Sequence, residues 1–415
     1  MHLKAILNRC HPIPGFVYGA ARFRDGQAIV VPVRPDGRRR GACSACGERG
    51  PTYDTLETRE FQFIPFWGFV VLLLYAMRRI DCKRCGTPKV ERVPWCDGKE
   101  HTCFVYRAYL ATWAKRLSWA ETARTFRTSW GVVFRAVAWV VAWGLEHRSL
   151  DGIAAIGVDE IAVWKGHKYL TVVYQIDQGM RRLIWVGRER TKASIRGFFD
   201  EFGAERAAAL RFVTSDMWKN YLDVIAKRAG AALHVLDRFH VVSNLNKAID
   251  KVRATEAREL ARKGYALLKR TRWLFLKRYK NLTRSQRVRL RDVLRYDLRS
   301  VRAYFHAQAL EGFWRCRSAK AAGVYLDAWC RLVMRSRLEP MKKMARSLRN
   351  HRELLLNWFR AKKEISSGVV EAMNGLAKLG LRRARGFRTF EAMRIALFHQ
   401  LGRLPEPQFG PHRFW

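Results

Sequence analysis

The sequence predicts a multidomain protein: a mixed α/β core interrupted by an all-helical segment, preceded by a cysteine-rich region and a short helical hairpin. Three observations predict it. Between residues 153 and 236, short Val- and Ile-rich runs give way to alternating helix and strand patterns. Residues 241–355 carry almost no strand pattern but many Arg, Lys, Leu and Trp at helical spacing. Upstream, four cysteines fall into two CxxCG knuckles.

The 415 residues leave room for about two to four domains. With 49% hydrophobic and 12% aromatic residues the chain can build sizeable cores, so wholesale disorder is excluded. Its charge is lopsided: 79 Lys and Arg against 36 Asp and Glu give +43 and a pI near 10.8. Such a chain repels itself unless it works on a polyanion, and nucleic acid is the first candidate because each cation laid on a phosphate releases counterions. An anionic membrane is the alternative, but the longest apolar run, Phe63–Ala76, is too short to span one and contains Pro65 and Gly68. Met1–Ala21 carries His and Pro where a leader needs an apolar stretch. A cytoplasmic protein is expected.

Residues 1–105 are rich in Gly, Pro, Cys and short apolar runs. Cys43 and Cys46 precede Gly47, and Cys82 and Cys85 precede Gly86. A CxxC turn aims two thiolates at one point, and the glycine lets the backbone close tightly around them. Two knuckles supply four soft ligands for a tetrahedral, structural Zn²⁺ with no open position. A redox pair or unrelated buried cysteines would leave the same pattern. The interval 47–81 is long for such a site, and its apolar content suits the hairpin of a zinc ribbon. Cys10, Cys96, His101 and Cys103 offer a second ligand set, with free buried cysteines the preferred reading.

Residues 106–150 turn helical. Ser118–Phe126 reads as a short amphipathic helix, Arg127-Thr128 as a break, and Ser129 as the N-cap of a helix through Trp143. This layout suits a helix-turn-helix that packs Ala123 and Phe126 inward and presents Arg127, Ser129, Trp130 and Arg135 to DNA. Any helical hairpin could share the pattern.

Residues 151–240 form the first part of the α/β core. Strands are expected at Ile153–Val158, Tyr169–Ile176, Leu183–Val186, Leu210–Thr214 and Ala232–Leu236, with helices over Ala193–Ala208 and Met217–Arg228. Residues 241–355 read as a basic helical insertion, in which Lys251–Ser300 alone holds 17 Lys and Arg against 4 Asp and Glu. Residues 356–400 return to the core with a helix capped by Ser366 or Ser367, and 401–415 form a tail.

Carboxylates are scarce, so those ending apolar strands stand out. Asp159 ends the first strand and Asp216 the fourth. In ribonuclease H-like sheets these two strands are neighbours, which would bring the two anions together around Mg²⁺ (or Mn²⁺), a hard ion that favours oxygen ligands. Two such ions can activate an attacking oxygen and stabilise a leaving one at phosphorus. The third ligand is expected from a helix, where Glu371 sits between Val370 and Met373. Each acid has a plainer use: Asp216 can cap Met217–Arg228, and Glu371 suits a first helical turn. Glu160, expected on the opposite strand face, rivals Asp159; Glu364, before the cap, rivals Glu371.

These motifs, in this order, resemble transposases of the ISL-three insertion-sequence family over about residues 40–400. The Cys43/Cys46/Cys82/Cys85 ribbon comes first, then the helix-turn-helix ending in Ser129-Trp130. The runs Gly157–Glu160, Val213–Asp216, Leu236–Val242, Ser367–Asn374 and Arg382–Phe390 follow. Ala372 departs from the commoner glycine after the glutamate. The resemblance implies a ribonuclease H-like DDE core with catalytic, Mg²⁺-binding Asp159, Asp216 and Glu371. It also implies that His240, in Asp237-x-x-His240, helps position the scissile phosphate. Arg382, Arg383, Arg385 and Arg388 join the expected DNA contacts. The expected partners are double-stranded DNA, at element ends and target, and further copies of the chain in a homodimer or larger synaptic complex. A non-catalytic DNA-binding regulator of the same descent is the rival reading.

Overall fold

The structure is a computed structural model and describes residues 3–37, 39–164, 168–362, 364–365, 368–384 and 386–409. Ser366 and Ser367, the expected helix cap, and Arg385 lie outside the described residues. The chain divides into two compact units, one from Met1–Ser149 and Ala377–Trp415, the other Leu150–Leu376.

In the first unit the interval between the cysteine knuckles becomes a long antiparallel hairpin, Thr52–Phe66 with Phe69–Ile80. It turns at Trp67 and Gly68, both at positive φ (48° and 82°). Ala28–Pro35 pairs parallel to its second arm, so the hairpin belongs to a six-stranded sheet, with Thr52–Phe66 at its edge, rather than standing as an isolated ribbon. Alternate residues of the second arm (Val71, Leu73, Tyr75, Met77) enter the core, where Trp95 meets Phe16, Tyr75 and Phe61 edge-on.

Three helices follow: Phe104–Ala114, Trp119–Thr125 and Trp130–His147. Ser118 and Glu121 form a reciprocal capping box on the second, and the Ser129 hydroxyl accepts from the Val132 amide at the start of the third. The last two axes differ by 116°. Phe390–Leu401 packs against Trp130–His147. Among the described residues, no single helix is long and apolar enough to cross a membrane.

The second unit is built on five strands: β1 (Ala155–Trp164), β2 (Lys168–Asp177), β3 (Met180–Arg188), β4 (Phe212–Ser215) and β5 (Leu233–Leu236). Their order is β3-β2-β1-β4-β5, with β1, β2 and β3 antiparallel and β4 and β5 parallel to β1. Helices α1 (Lys192–Phe202) and α2 (Lys219–Arg228) supply Phe198, Phe199, Phe202, Tyr221 and Ile225 to one core with the sheet. The helical pattern expected to reach Ala208 breaks at Gly203, whose φ of 91° no helix accommodates. β1 runs to Trp164, so Asp159 lies inside the strand rather than at its end, because the alternation after it pairs with β2 (Glu160 opposite Thr171).

After β5 the 25-residue helix α3 (Arg238–Arg262) opens a helical assembly with its own core, including Leu245, Phe275, Tyr304, Trp329 and Leu356. Helix α4 (Arg352–Arg360) returns to the sheet, where the Asn357 side chain donates to the His234 carbonyl at 2.8 Å. Helix α5 (Gly368–Arg383) carries Glu371.

Candidate active site and cysteine centre

The parallel register of β1 and β4 pairs Gly157 with Thr214. Asp159 and Asp216 each stand two residues further on, so the register sets them at one level. Both are buried. α5 can reach this part of the sheet because Gly157 has no side chain: a Cβ there would meet Val370 at 2.3 Å. One turn beyond Glu371, Asn374 donates to Asp159 Oδ2 at 2.6 Å and accepts from the Tyr174 hydroxyl at 2.8 Å. The other Asp159 oxygen accepts from the Glu160 amide at 2.8 Å.

Burial pushes the Asp159 carboxyl above its ordinary range, and Asp237 and Asp216 add to the shift against the Glu160 amide and His240. Desolvation also raises the Glu371 carboxyl, reinforced by Asp237 and Asp159 and opposed by His240. These acids therefore feel one another's charge. Glu371 opens on a cavity of about 310 Å³ lined by Thr214, Leu236, Phe239, Arg278 and Gly368 among others. His240 Nε2 lies 3.6 Å from Asp237 Oδ2 and 3.8 Å from Asp159 Oδ1. Asp237 itself caps α3 through the Phe239 amide.

Glu160 does not stand apart as its place in the alternation suggested. Arg190 pairs with both Glu160 and Asp216, the latter at 2.7 Å, and thereby brings Glu160 into the acidic group. Burial raises the Glu160 carboxyl to about 7, with Asp216 and Asp159 adding and Arg190 opposing. Glu364 is exposed and stands in no described bond with the group. Asn374, Tyr174 and Arg190 were not expected. Asn374 falls three residues after Glu371, the spacing that shares a helix face, and this was the available signal.

The four knuckle sulfurs lie within 4.8 Å of one another, the only such group of three or more metal-type donors among the described residues. Cys43 and Cys85 are 3.9 Å apart and Cys46 and Cys82 3.4 Å, against about 3.8 Å for tetrahedral zinc thiolates. Gly47 and Gly86 donate back to the Cys43 and Cys82 carbonyls at positive φ, as the knuckle requires. The Cys46 amide leads in lowering the Cys43 thiol to about 7, while hydrogen bonding to Cys46 and Cys82 pushes Cys85 up to about 12. Without a cation the four cannot share charge. Cys10 is exposed and Cys96 and Cys103 are buried, so no second ligand set forms among the described residues.

Arg127, Ser129, Trp130 and Arg135 are all exposed, although Trp130 stacks on Phe134 and Arg135 pairs with Glu100. Arg383 and Arg388 line a groove of about 840 Å³ with Arg124, Trp119 and Trp130, and Arg382 is exposed nearby in sequence. Phe387 anchors this basic segment on Trp119.

The sequence profile of an ISL-three type DDE family, described as a transposase, matches residues 156–397. The chain belongs to this family of transposases. It is similar to the transposase for insertion sequence element IS1001 of Bordetella parapertussis, 26% identical over 381 residues that cover 90% of this chain and 93% of that protein. It is 30% identical over 404 residues to the transposase for insertion sequence element IS1557 of Mycobacterium tuberculosis (strains CDC 1551 / Oshkosh and ATCC 25618 / H37Rv), covering 90% and 88%. The expected resemblance is thus borne out, and the matched span takes in Asp159, Asp216, His240 and Glu371.

A DDE transposase implies a divalent metal. The donors suit one: hard carboxylate oxygens, two of them buried, gathered where a guanidinium already bridges two. They do not close into one chelating set as the thiols do.

Proposed function

We propose that this transposase binds the terminal inverted repeats of its element and cleaves and joins DNA strands at a ribonuclease H-like core through Asp159, Asp216 and Glu371. The observation that carries the reading is the parallel register that levels Asp159 with Asp216 while α5, tied to Asp159 through Asn374, brings Glu371 to the same group. The strand order β3-β2-β1-β4-β5 supports the fold.

Mg²⁺ or Mn²⁺ bound by these carboxylates would supply activation of the attacking oxygen and charge neutralisation at the leaving one. The chain's own part is placement. Asn374 fixes one face of Asp159, and the Trp218 amide holds Asp216 Oδ1 at 3.0 Å. His240, beside Asp159 and Asp237, orients the scissile phosphate. In the first unit the cysteine cluster holds structural Zn²⁺. The helices Trp119–Thr125 and Trp130–His147 act as a helix-turn-helix, presenting Arg127, Ser129, Trp130 and Arg135. Arg382, Arg383, Arg385 and Arg388 add phosphate contacts from the same unit, and the basic helices after β5 grip flanking DNA. Two element ends must be processed together, so the working form is a homodimer or larger synaptic complex. Free thiols suit the reducing cytoplasm.

Purified protein tests this. Wild type should nick end-containing DNA with Mg²⁺ or Mn²⁺, and Asp159→Asn should lose about a thousandfold or more while still binding that DNA. Equal cleavage by Asp159→Asn would overturn the site. Binding without cleavage by wild type would favour the regulator.

A further inference from the structure

We propose that Arg190 is a resident counter-cation of the carboxylate site, holding Glu160 and Asp216 together in the metal-free enzyme and yielding when a divalent ion binds. This rests on the reading of Asp159, Asp216 and Glu371 as the metal-binding carboxylates.

The loop that carries Arg190 is built rather than incidental. It joins β3 to α1, and Glu189 turns it at a φ of 65°, a conformation that L residues other than Asn and Asp rarely adopt. The loop is pinned on both sides. Buried Thr171 donates to the Glu189 carbonyl at 2.8 Å, and Thr191 caps α1 by accepting from the Ser194 amide at 3.1 Å. The Ser194 hydroxyl in turn donates to the Arg188 carbonyl. Between these fixed points the Arg190 guanidinium lies over the Trp218 ring, 4.5 Å from its centre, and pairs with two carboxylates, one on β1 and one just after β4.

Trp218 works twice: its ring supports the cation and its amide holds the other oxygen of Asp216. Asp216 therefore has one oxygen fixed by the backbone and the other bound to a single positive charge. A strained, doubly pinned loop is a costly way to stabilise a surface, since exposed ion pairs contribute little. Here the carboxylates are largely buried and mutually repelling, so an internal cation has much to neutralise.

A divalent ion carries twice the charge of a guanidinium and takes the same lone pairs. Both compete for Asp216 Oδ2, so in this proposal the doubly charged ion draws that oxygen away from Arg190. Displacement also leaves Glu160 as a further carboxylate facing the ion. Arg190 is thus a positioning residue that sets the site's metal affinity and holds Glu160 and Asp216 in place when no ion is bound.

The test uses the zinc-loaded full chain without DNA, titrated with Mn²⁺ while free Mn²⁺ is followed by electron paramagnetic resonance. Thermal melting is recorded with and without the ion. Arg190→Gln should bind Mn²⁺ about tenfold more tightly than wild type, melt lower without it, and regain the wild-type melting point at saturation. Arg190→Lys, a cation that cannot bridge two carboxylates in parallel, should fall between the two in affinity; it also serves if the glutamine variant does not fold. Unchanged or weaker Mn²⁺ binding in these variants overturns the role of Arg190. Asp216→Asn separates the two ideas: if it binds Mn²⁺ as well as wild type, the carboxylate reading itself fails.

Discussion

The chain holds two groups of metal-type donors built on opposite principles. The four thiols converge within 4.8 Å, each pair set by its own local turn and the two turns brought together by the hairpin between them. The carboxylates arrive from three separate segments, spread more widely, and are held by protein partners: Asn374 on Asp159, Arg190 on Asp216 and Glu160. A closed set of soft donors fixes structure, whereas an open set of hard donors, each steered by a neighbour, leaves room for a substrate phosphate. On the proposed reading the first needs its ion to hold shape. The second keeps its shape with a guanidinium in place.

The largest expected effect lies at the thiols. Cys82→Ser should lower zinc from about one per chain to none and unfold the knuckle region, since structural zinc sites contribute about 10 kcal/mol or more of binding free energy. Metal analysis and limited proteolysis would show cleavage in the 41–92 segment, while the Leu150–Leu376 unit keeps its Mn²⁺ binding. Retained zinc and protease resistance would remove the distinction between a structural and a working centre.

How much was readable in advance follows the same division. The knuckles were legible because CxxCG is a local motif whose glycines need positive φ, which Gly47 and Gly86 have. The hairpin between them was also legible from its apolar content, but the larger sheet it joins was not, because its second arm pairs with Ala28–Pro35, far away in sequence. Asp159 and Asp216 could be singled out as acids closing apolar runs. Their adjacency was expected from the strand order of ribonuclease H-like sheets, and β1 and β4 are neighbours here; Glu371 was set apart from other helical acids only by the resemblance. Arg190 was invisible: nothing local marks one arginine among so many, and its role depends on a loop turn at Glu189. Glu160 was misjudged for a related reason. Strand alternation describes where a Cβ points, not where a long side chain can be drawn by a cation.

A second difference should appear on acidification. His234 is buried on β5, its Nε2 2.8 Å from the hydroxyl of Ser215 at the end of β4. Burial lowers it from the ordinary 6.5 to about 4, so a proton binds the unfolded chain better than the folded one. Its contribution to stability is complete above pH 6.5 and is lost as the pH falls toward 4. Between pH 6.5 and 5 the Leu150–Leu376 unit should lose about 2 kcal/mol that a His234→Gln variant does not lose. Denaturant titrations at the two pH values measure this, and an equal loss of unfolding free energy in both proteins would show that His234 is not held neutral.

The smallest effect is the sharpest test of how the open centre is held. Asn374 touches neither metal nor DNA in this reading; it fixes Asp159 Oδ2 and is itself fixed by Tyr174. Asn374→Ala should weaken Mn²⁺ binding about tenfold, about 1.4 kcal/mol, and slow cleavage in step, with binding to end DNA unchanged. Tyr174→Phe removes only the outer bond of this chain and should lose less, about 1 kcal/mol or under. If the phenylalanine variant instead matched the alanine one, the hydroxyl rather than the amide would set the orientation of Asp159. The thiol centre offers no parallel to this graded response, because its ligands are positioned by the turns that contain them.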